Sequence, residues 1–173
     1  MHQQLPVEID PFRLAQNGLK LTGELQVSNL KRLLKSLDSD EGVVNVDMHF
    51  DVDETGTPFL KGKFSSSLSI ICERCSEAML LNVESNCLLA LVKNEHKVEG
   101  LAEQYDPWLI DDNNEAIKLA SVVEDELILA LPLVPKHDFE CLPAEVWQSG
   151  EDEVVEEKPI SPFAVLSALK SKD

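Results

Sequence analysis

The stretch VNVDMHFDV at residues 44–52 alternates apolar and polar side chains without a break. Because successive side chains of a strand point to opposite faces, strict alternation is typical of a β-strand that is buried on one side only. Residues 53–58 follow with turn-forming residues, among them Gly56 and Pro58. We therefore expect a strand with one apolar face and a tight reversal of the chain after it.

Two further alternating runs lie at residues 60–70 and 79–91, and a shorter one lies at residues 19–25. Short connections between such runs imply antiparallel pairing. The pattern predicts an α+β fold built on an antiparallel β-sheet, either a meander or a partly closed barrel, with one apolar face. Residues 93–114 lose the pattern and are expected to be rich in loops, with a short strand around Trp108.

Two main helices complete the predicted domain. The first is expected to begin at a cap on Ser28, with one face formed by Leu30, Leu33, Leu34 and Leu37. The second is expected to begin at Asn114 and to end at Pro132 and Pro135, with an apolar face formed by Ala116, Ala120, Val123, Leu127 and Leu131. Glu124, Asp125 and Glu126 lie in its middle and are interpreted as a stripe that faces water.

The organisation predicted for the 173 residues is one domain with a tail. Residues 1–147 form the α+β domain, and residues 148–160 are an acidic flexible linker. Residues 161–173 form a short C-terminal amphipathic helix, because Ser161 and Pro162 suit a helix start and apolar residues then recur at every third position. This helix is expected to pack either on its own domain or on a partner.

Charge is distributed unevenly along the chain, whose net charge is −17. Residues 1–97 hold 10 basic and 14 acidic side chains, and residues 98–173 hold 5 basic and 18 acidic ones. No apolar run reaches the roughly 20 residues that cross a bilayer, and the N-terminus does not resemble a signal peptide. The expected location is the cytoplasm, with reduced cysteines and no membrane partner.

Four stretches, in this order along nearly the whole chain, resemble the YceD family. They are IDPFR at residues 9–13 with LTG at residues 21–23, CERC at residues 72–75, VEDELILALP at residues 123–132 with Val134, Pro135 and His137 beyond it, and PFAVL at residues 162–166. The resemblance implies a role in the synthesis, processing or stability of 23S ribosomal RNA. The implied partner is ribosomal RNA or a precursor of the large subunit. No catalytic residue is carried over.

A chain that contacts RNA directly needs clustered cations to neutralise phosphates. The candidates, all from the N-terminal half, are Lys31, Arg32 and Lys35 on the first predicted helix and Lys61 and Lys63 on one strand. An ordinary solvated surface would show the same pattern. His49, between Asp47 and Asp51, is interpreted as a surface histidine, with an ion site as the alternative.

The cysteines suggest a metal site. Cys72 and Cys75 form a C-x-x-C pair in a turn between two strands, and such a turn can present both sulfurs to one metal ion. Some YceD relatives carry a second cysteine pair, whereas this chain offers His137 and Cys141 instead. Zinc is the candidate cofactor for these four residues. A turn with two reduced thiols and no metal is the alternative, and Cys87 is predicted to lie in the core.

Binding is therefore the expected mode of action, since no motif of an enzyme or of a small-molecule site occurs in the sequence. One alternative is a protein-only adaptor whose acidic half shields a basic ribosomal protein. The other is a thiol enzyme that uses Cys72 and Cys75. Redox pairs of that kind lie at a helix N-terminus, whereas this pair lies between strands.

Overall fold

A computed structural model of the chain describes residues 4–110 and 116–143. Contacts within the chain define two compact units, Met1–Phe139 and Glu140–Asp173. The elements of the described residues belong to the first unit. They are β1 (Glu8–Ile9), α1 (Pro11–Gln16), β2 (Lys20–Gln26), β3 (Val43–Val52), β4 (Pro58–Ile71), β5 (Ala78–Val92), β6 (Asp106–Leu109), β7 (Ile117–Lys118) and α2 (Leu119–Ala130), with 3₁₀ turns at Val27–Asn29, Leu33–Ser36 and Glu95–Gly100.

The main sheet has five strands in the order β2-β3-β4-β5-β6. The first four pair antiparallel as a meander, and β6 adds to β5 in parallel. The α+β class and the meander are thus confirmed, and so is the short strand at Trp108. Within the described residues β2 and β6 remain the two edges of an open sheet, so the barrel alternative does not apply.

One face of this sheet forms the core. The alternating residues Val44, Val46, Met48 and Phe50 of β3 are buried, and β4 contributes Leu60, Phe64 and Leu68 to the same side. The helix α2 packs against this face, mainly on β5. The opposite face of the sheet carries the polar members of each alternating run and is mostly exposed. The predicted turn after β3 is also present, with Gly56 at a positive φ of 87°.

The first predicted helix is wrong. Two 3₁₀ turns, Val27–Asn29 and Leu33–Ser36, occupy this segment. An α-helix would require the Arg32 N–H to bond to the carbonyl four residues earlier, whereas it donates instead to Glu124 Oε1 at 2.7 Å. The leucines still face the core, since Leu30 and Leu33 are fully buried.

The second predicted helix exists but begins later than expected. Asn114 lies outside the described residues, and α2 begins at Leu119. Ile117 and Lys118 cannot join the helix because they pair with Ile9 and Glu8 in a small two-stranded sheet. The predicted end is confirmed, because α2 ends at Ala130, just before the residue that precedes Pro132.

The short helix α1 was not predicted, although its signal is in the sequence. Asp10 caps it by accepting a hydrogen bond from the Arg13 N–H at 3.0 Å, and Pro11 occupies the first helical position. No helix of the described residues is long and apolar enough to span a membrane. The predicted linker and C-terminal helix, residues 148–173, lie outside the described residues.

Candidate functional site

The C-x-x-C pair lies in the turn that joins β4 to β5. The Cys72 N–H donates to the Glu77 carbonyl at 2.9 Å, and the Ser76 N–H donates to the Cys72 carbonyl at 2.8 Å. Ser76 adopts a left-handed conformation with φ of 61°, which tightens the reversal. Cys72 is fully buried and Cys75 is partly exposed. The turn thus holds both sulfurs at the end of a long two-stranded arm.

The segment after α2 is fastened to this turn. The Glu73 N–H donates to the Pro135 carbonyl at 2.8 Å. The Arg74 guanidinium donates to the carbonyls of His137, at 3.1 Å, and Phe139. These bonds place His137 Nδ1 at 3.5 Å from Cys75 Sγ. No local sequence pattern predicts this clamp of Glu73 and Arg74 on the segment after α2, although Arg74 stands inside the C-x-x-C motif itself.

The four predicted metal ligands form one group. The ligand atoms of Cys72, Cys75, His137 and Cys141 all lie within 4.8 Å of one another. A tetrahedral zinc ion, with Zn–S bonds of about 2.3 Å and a Zn–N bond of about 2.0 Å, separates its ligand atoms by roughly 3.5–3.8 Å. The group is compact enough to hold such an ion after small side-chain movements. Its three thiols and one imidazole are also ligands that zinc prefers.

The protonation of Cys72 suits a metal ligand. Burial of the thiol would by itself raise the pKa of Cys72. Hydrogen bonds to its sulfur from the backbone N–H groups of Cys75, His137 and Arg74 outweigh burial and lower this pKa to about 6. Because the thiolate is the form that binds a metal, the turn prepares Cys72 for that role.

Cys87 differs from the four grouped residues in its position and in the pKa of its thiol. It lies on the core-facing side of β5, as predicted, and it is not part of the group. Burial, together with the nearby Glu126 carboxylate, raises the pKa of Cys87 to about 12. Its thiol therefore stays protonated, which makes it a useful internal control for experiments on the other cysteines.

Arg32, one of the candidate RNA contacts, is engaged by α2. Its Nε donates to Glu124 Oε2 at 3.0 Å, its Nη1 to Asp125 at 2.6 Å and its Nη2 to the Ser121 carbonyl at 2.8 Å. Glu124 is buried, which corrects the interpretation of residues 124–126 as a solvated stripe. The cause is the ion pair, since a buried carboxylate needs a charged partner. Asp125 remains exposed.

The five candidate cations do not form one surface. Arg32 bonds to α2, which packs on the core side of the main sheet, whereas Lys61 and Lys63 project from the opposite face of β4. Lys63 pairs with Glu84 at 2.8 Å, and both side chains are more than half exposed. Lys31 and Lys35 are exposed in and beside the second 3₁₀ turn. The structure therefore keeps Lys61 next to Lys63 but separates this pair from Arg32.

Comparisons with known proteins match this chain to the same family that its sequence motifs resemble. The family model described as "Large ribosomal RNA subunit accumulation protein YceD" matches residues 60–170. A curated protein of Haemophilus influenzae, named "Large ribosomal RNA subunit accumulation protein YceD", is 34% identical over 171 residues and is covered to 98%, as is this chain. No solved structure matches.

Proposed function

The chain belongs to the YceD family of large ribosomal RNA subunit accumulation proteins, and from this membership we propose that it supports the synthesis, processing or stability of 23S ribosomal RNA. It does so in the cytoplasm, by binding ribosomal RNA or an assembling large subunit. The observation that carries the proposal is the 34% identity with a protein of that name over 98% of both chains.

The test is complementation. A bacterial strain that lacks its own family member would be supplied with this chain, and the ratio of 23S to 16S ribosomal RNA would be measured during growth. We expect the chain to restore the ratio, and crosslinking in the same cells to recover ribosomal RNA or large-subunit precursors with it. A ratio that stays low although the chain is expressed and folded would overturn the proposed function.

Binding, and not thiol chemistry, is the proposed mode of action. The cations proposed to contact RNA are Lys61 and Lys63 on the sheet, with Lys31, Arg32 and Lys35 as a separate set. Arg32 is the weakest of the five, because its guanidinium is already shared between two carboxylates. Cys72→Ser and Cys75→Ser variants that restore the 23S ratio would exclude the thiol enzyme.

The acidic part of the chain supports the alternative of a protein-only adaptor. Residues 98–173 carry 18 acidic and 5 basic side chains, so this part attracts a basic ribosomal protein and repels phosphate. Crosslinking decides between the two modes. Recovery of a basic large-subunit protein without RNA would favour the adaptor.

Zinc is the proposed cofactor, held by Cys72, Cys75, His137 and Cys141. Three thiolates and an imidazole would close the coordination sphere, so the ion would supply stability to the turn and no chemistry. Elemental analysis of the purified protein is expected to find about one zinc per chain, and Cys75→Ser is expected to lose it. Cys87→Ala is the matched control and should keep it. Metal-free protein after growth and purification with added zinc would contradict the assignment.

A further inference from the structure

A groove of about 520 Å³ lies on the exposed face of the main sheet. Its lining includes the charged side chains of Lys20 from β2, Asp47 from β3, and Lys61 and Lys63 from β4, together with the His49 imidazole. Three ammonium groups thus face one carboxylate within the lining itself. In a chain with a net charge of −17, this local excess of positive charge is the reverse of the general balance.

The register of the sheet brings these cations together. Lys20 pairs with His49 across β2 and β3, and His49 pairs with Lys61 across β3 and β4. Side chains directly opposite one another on neighbouring strands have Cβ atoms about 5 Å apart. All three point outward because their sequence neighbours pack toward the core: Met48 and Leu60 are buried in it, and Leu21 is packed against it. The imidazole therefore lies between two ammonium groups in one row.

Two of the lysines are available to a ligand. Lys20 and Lys61 form no ion pair among the described residues. Lys63 is paired with Glu84, and His49 Nε2 lies 3.7 Å from Asp51. The groove thus offers two lysines without an ion pair beside a ring whose side chain is 32% exposed.

Aromatic packing supports that ring from one side. The His49 and Phe59 rings meet edge to face with centroids 6.5 Å apart, and Phe59 contacts Tyr105 at 5.9 Å. The Tyr105 hydroxyl donates to Asp53 at 3.0 Å, which holds the outermost ring in place. The result is a row of three aromatic side chains that crosses the sheet and ends at the groove.

Ammonium groups beside an exposed ring on an open sheet match the chemistry of a nucleotide, which combines a phosphate with a flat base. We propose that this groove binds single-stranded ribosomal RNA, with an unpaired base stacked on His49 and the adjacent phosphates bound by Lys20 and Lys61. A duplex hides its base faces in the helical stack, so only unpaired nucleotides can use the ring. The proposal rests on the proposed function and names the RNA-contacting part of the molecule.

The test is fluorescence anisotropy with the full chain and a labelled single-stranded RNA of about 12 nucleotides, compared with a duplex of the same sequence. Single-stranded RNA is expected to bind more tightly than duplex. Lys61→Glu should weaken binding about ten-fold and reduce the slope of log affinity against log salt by about 0.7 or more, because a phosphate contact is lost. His49→Ala should weaken binding about five-fold and leave the slope unchanged, because stacking involves no counterion release.

Lys97→Glu is the matched control, since Lys97 is an exposed lysine outside the groove and is not one of the proposed RNA contacts. Its reversal should reduce affinity much less than Lys61→Glu. Unchanged thermal unfolding of each variant shows that the sheet is intact. Equal losses from Lys97→Glu and Lys61→Glu, no loss from Lys61→Glu, or equal affinity for duplex would overturn the proposal that RNA binds in this groove.

The experiments distinguish an error in the proposed RNA-binding groove from an error in the proposed function. A wild-type chain that restores 23S ribosomal RNA in cells but binds no single-stranded RNA would overturn only the proposal that RNA binds in the groove. A chain that binds single-stranded RNA through the groove but does not restore 23S ribosomal RNA would overturn the proposed function alone.

Discussion

Glu124 is the residue whose environment departs most from what its chemistry suggests. Its carboxylate is buried at 6% exposure and accepts two hydrogen bonds from Arg32, one from the backbone and one from the side chain. The contact joins residues 92 positions apart and replaces a helical hydrogen bond of the earlier segment. One side chain thus sets both the packing of α2 and the 3₁₀ geometry around Leu33.

Glu124→Ala is expected to lower the free energy of unfolding by about 2 kcal/mol, because it leaves the Arg32 N–H and part of its guanidinium without an acceptor. The loss stays below the 3–5 kcal/mol of fully buried pairs because Arg32 is half exposed. Urea denaturation measures it. Asp125→Ala is the control and should cost about 0.5 kcal/mol or less, since Asp125 is exposed. Equal losses from both variants would contradict this account.

Asp53 organises the turn between β3 and β4. Hydrogen bonds from the Thr55 hydroxyl and the Thr57 N–H, with further ones from Tyr105 and the Thr55 N–H, hold the pKa of Asp53 below its ordinary value. A carboxylate with a depressed pKa in the folded state stabilises the protein above the unfolded pKa of about 3.9. That contribution is lost as the pH falls through the folded pKa.

Asp53→Asn should therefore lower the urea midpoint by a constant amount between pH 7 and pH 5. The difference from the wild type should shrink as the pH falls below about 4, because the wild-type carboxyl group then becomes neutral as well. Urea midpoints at pH 7, 5, 4 and 3 measure the effect. Asp40→Asn, at an exposed position, is the control and should show little difference at any of these pH values. A difference that grows on acidification would have the opposite sign and would exclude a stabilising role for the lowered pKa of Asp53.

The element on which the molecule depends most is the hairpin of β4 and β5. Its two strands pair along their length, from Phe59 with Ala90 to Ile71 with Ala78. The pairing of β4 with β3 ends at Ser66, so the hairpin extends well beyond β3. The far end carries the C-x-x-C turn, and the near end carries the RNA groove. Packing inside this hairpin therefore affects both proposed sites.

A substitution at Gly62 tests the packing between β4 and β5. A Cβ at this position would lie 2.7 Å from Cys87 Sγ and 2.9 Å from the Phe64 ring, well inside van der Waals contact. Gly62→Ala is expected to lower the free energy of unfolding by about 1–3 kcal/mol through overpacking. Gly100→Ala is the control, because a Cβ there meets nothing within 4 Å; it should change stability by less than about 0.5 kcal/mol. Chemical denaturation of both variants measures this, and an equally stable Gly62→Ala protein would contradict the packing argument.

At the scale of the whole molecule, charge is unevenly distributed along the sequence. The groove cations belong to β2 and β4, whereas acidic residues are concentrated after residue 97. A net charge of −17 repels phosphate in general, so contact with RNA would depend on the local excess of cations in the groove. The family role and an acidic chain are therefore compatible, provided that contact with RNA is local.

Metal removal should affect the molecule beyond the turn. The proposed zinc ion would join the end of the β4–β5 hairpin to the segment after α2, which is otherwise fastened by Arg74 and the Glu73 N–H. A chelator is expected to lower the melting temperature of the zinc-loaded protein by several degrees, and added zinc should restore it. The melting temperature of Cys75→Ser should not respond to the chelator. A chelator-insensitive wild type that contains zinc would argue against a structural role for the ion.

The sequence by itself determined the five strands of the main sheet, the turns at residues 53–58 and 72–77, the end of α2 and the family. Each depends on local signals such as alternation, Gly, Pro and motif order, which do not require a knowledge of distant contacts. The Asp10–Pro11 start of α1 was equally local and was overlooked. The C-x-x-C pair was recognisable for the same reason, and its position between two predicted strands favoured a turn over a redox helix.

Only the tertiary structure decided which distant groups meet. The Arg32–Glu124 pair converts a predicted helix into 3₁₀ turns, and the pairing of β1 with β7 delays the start of α2. Strand register places His49 between Lys20 and Lys61, and the Arg74 clamp brings His137 to Cys75. The physical reason is that a backbone N–H or a charge takes the best partner in space, and a local pattern carries no record of partners sixty or ninety residues away.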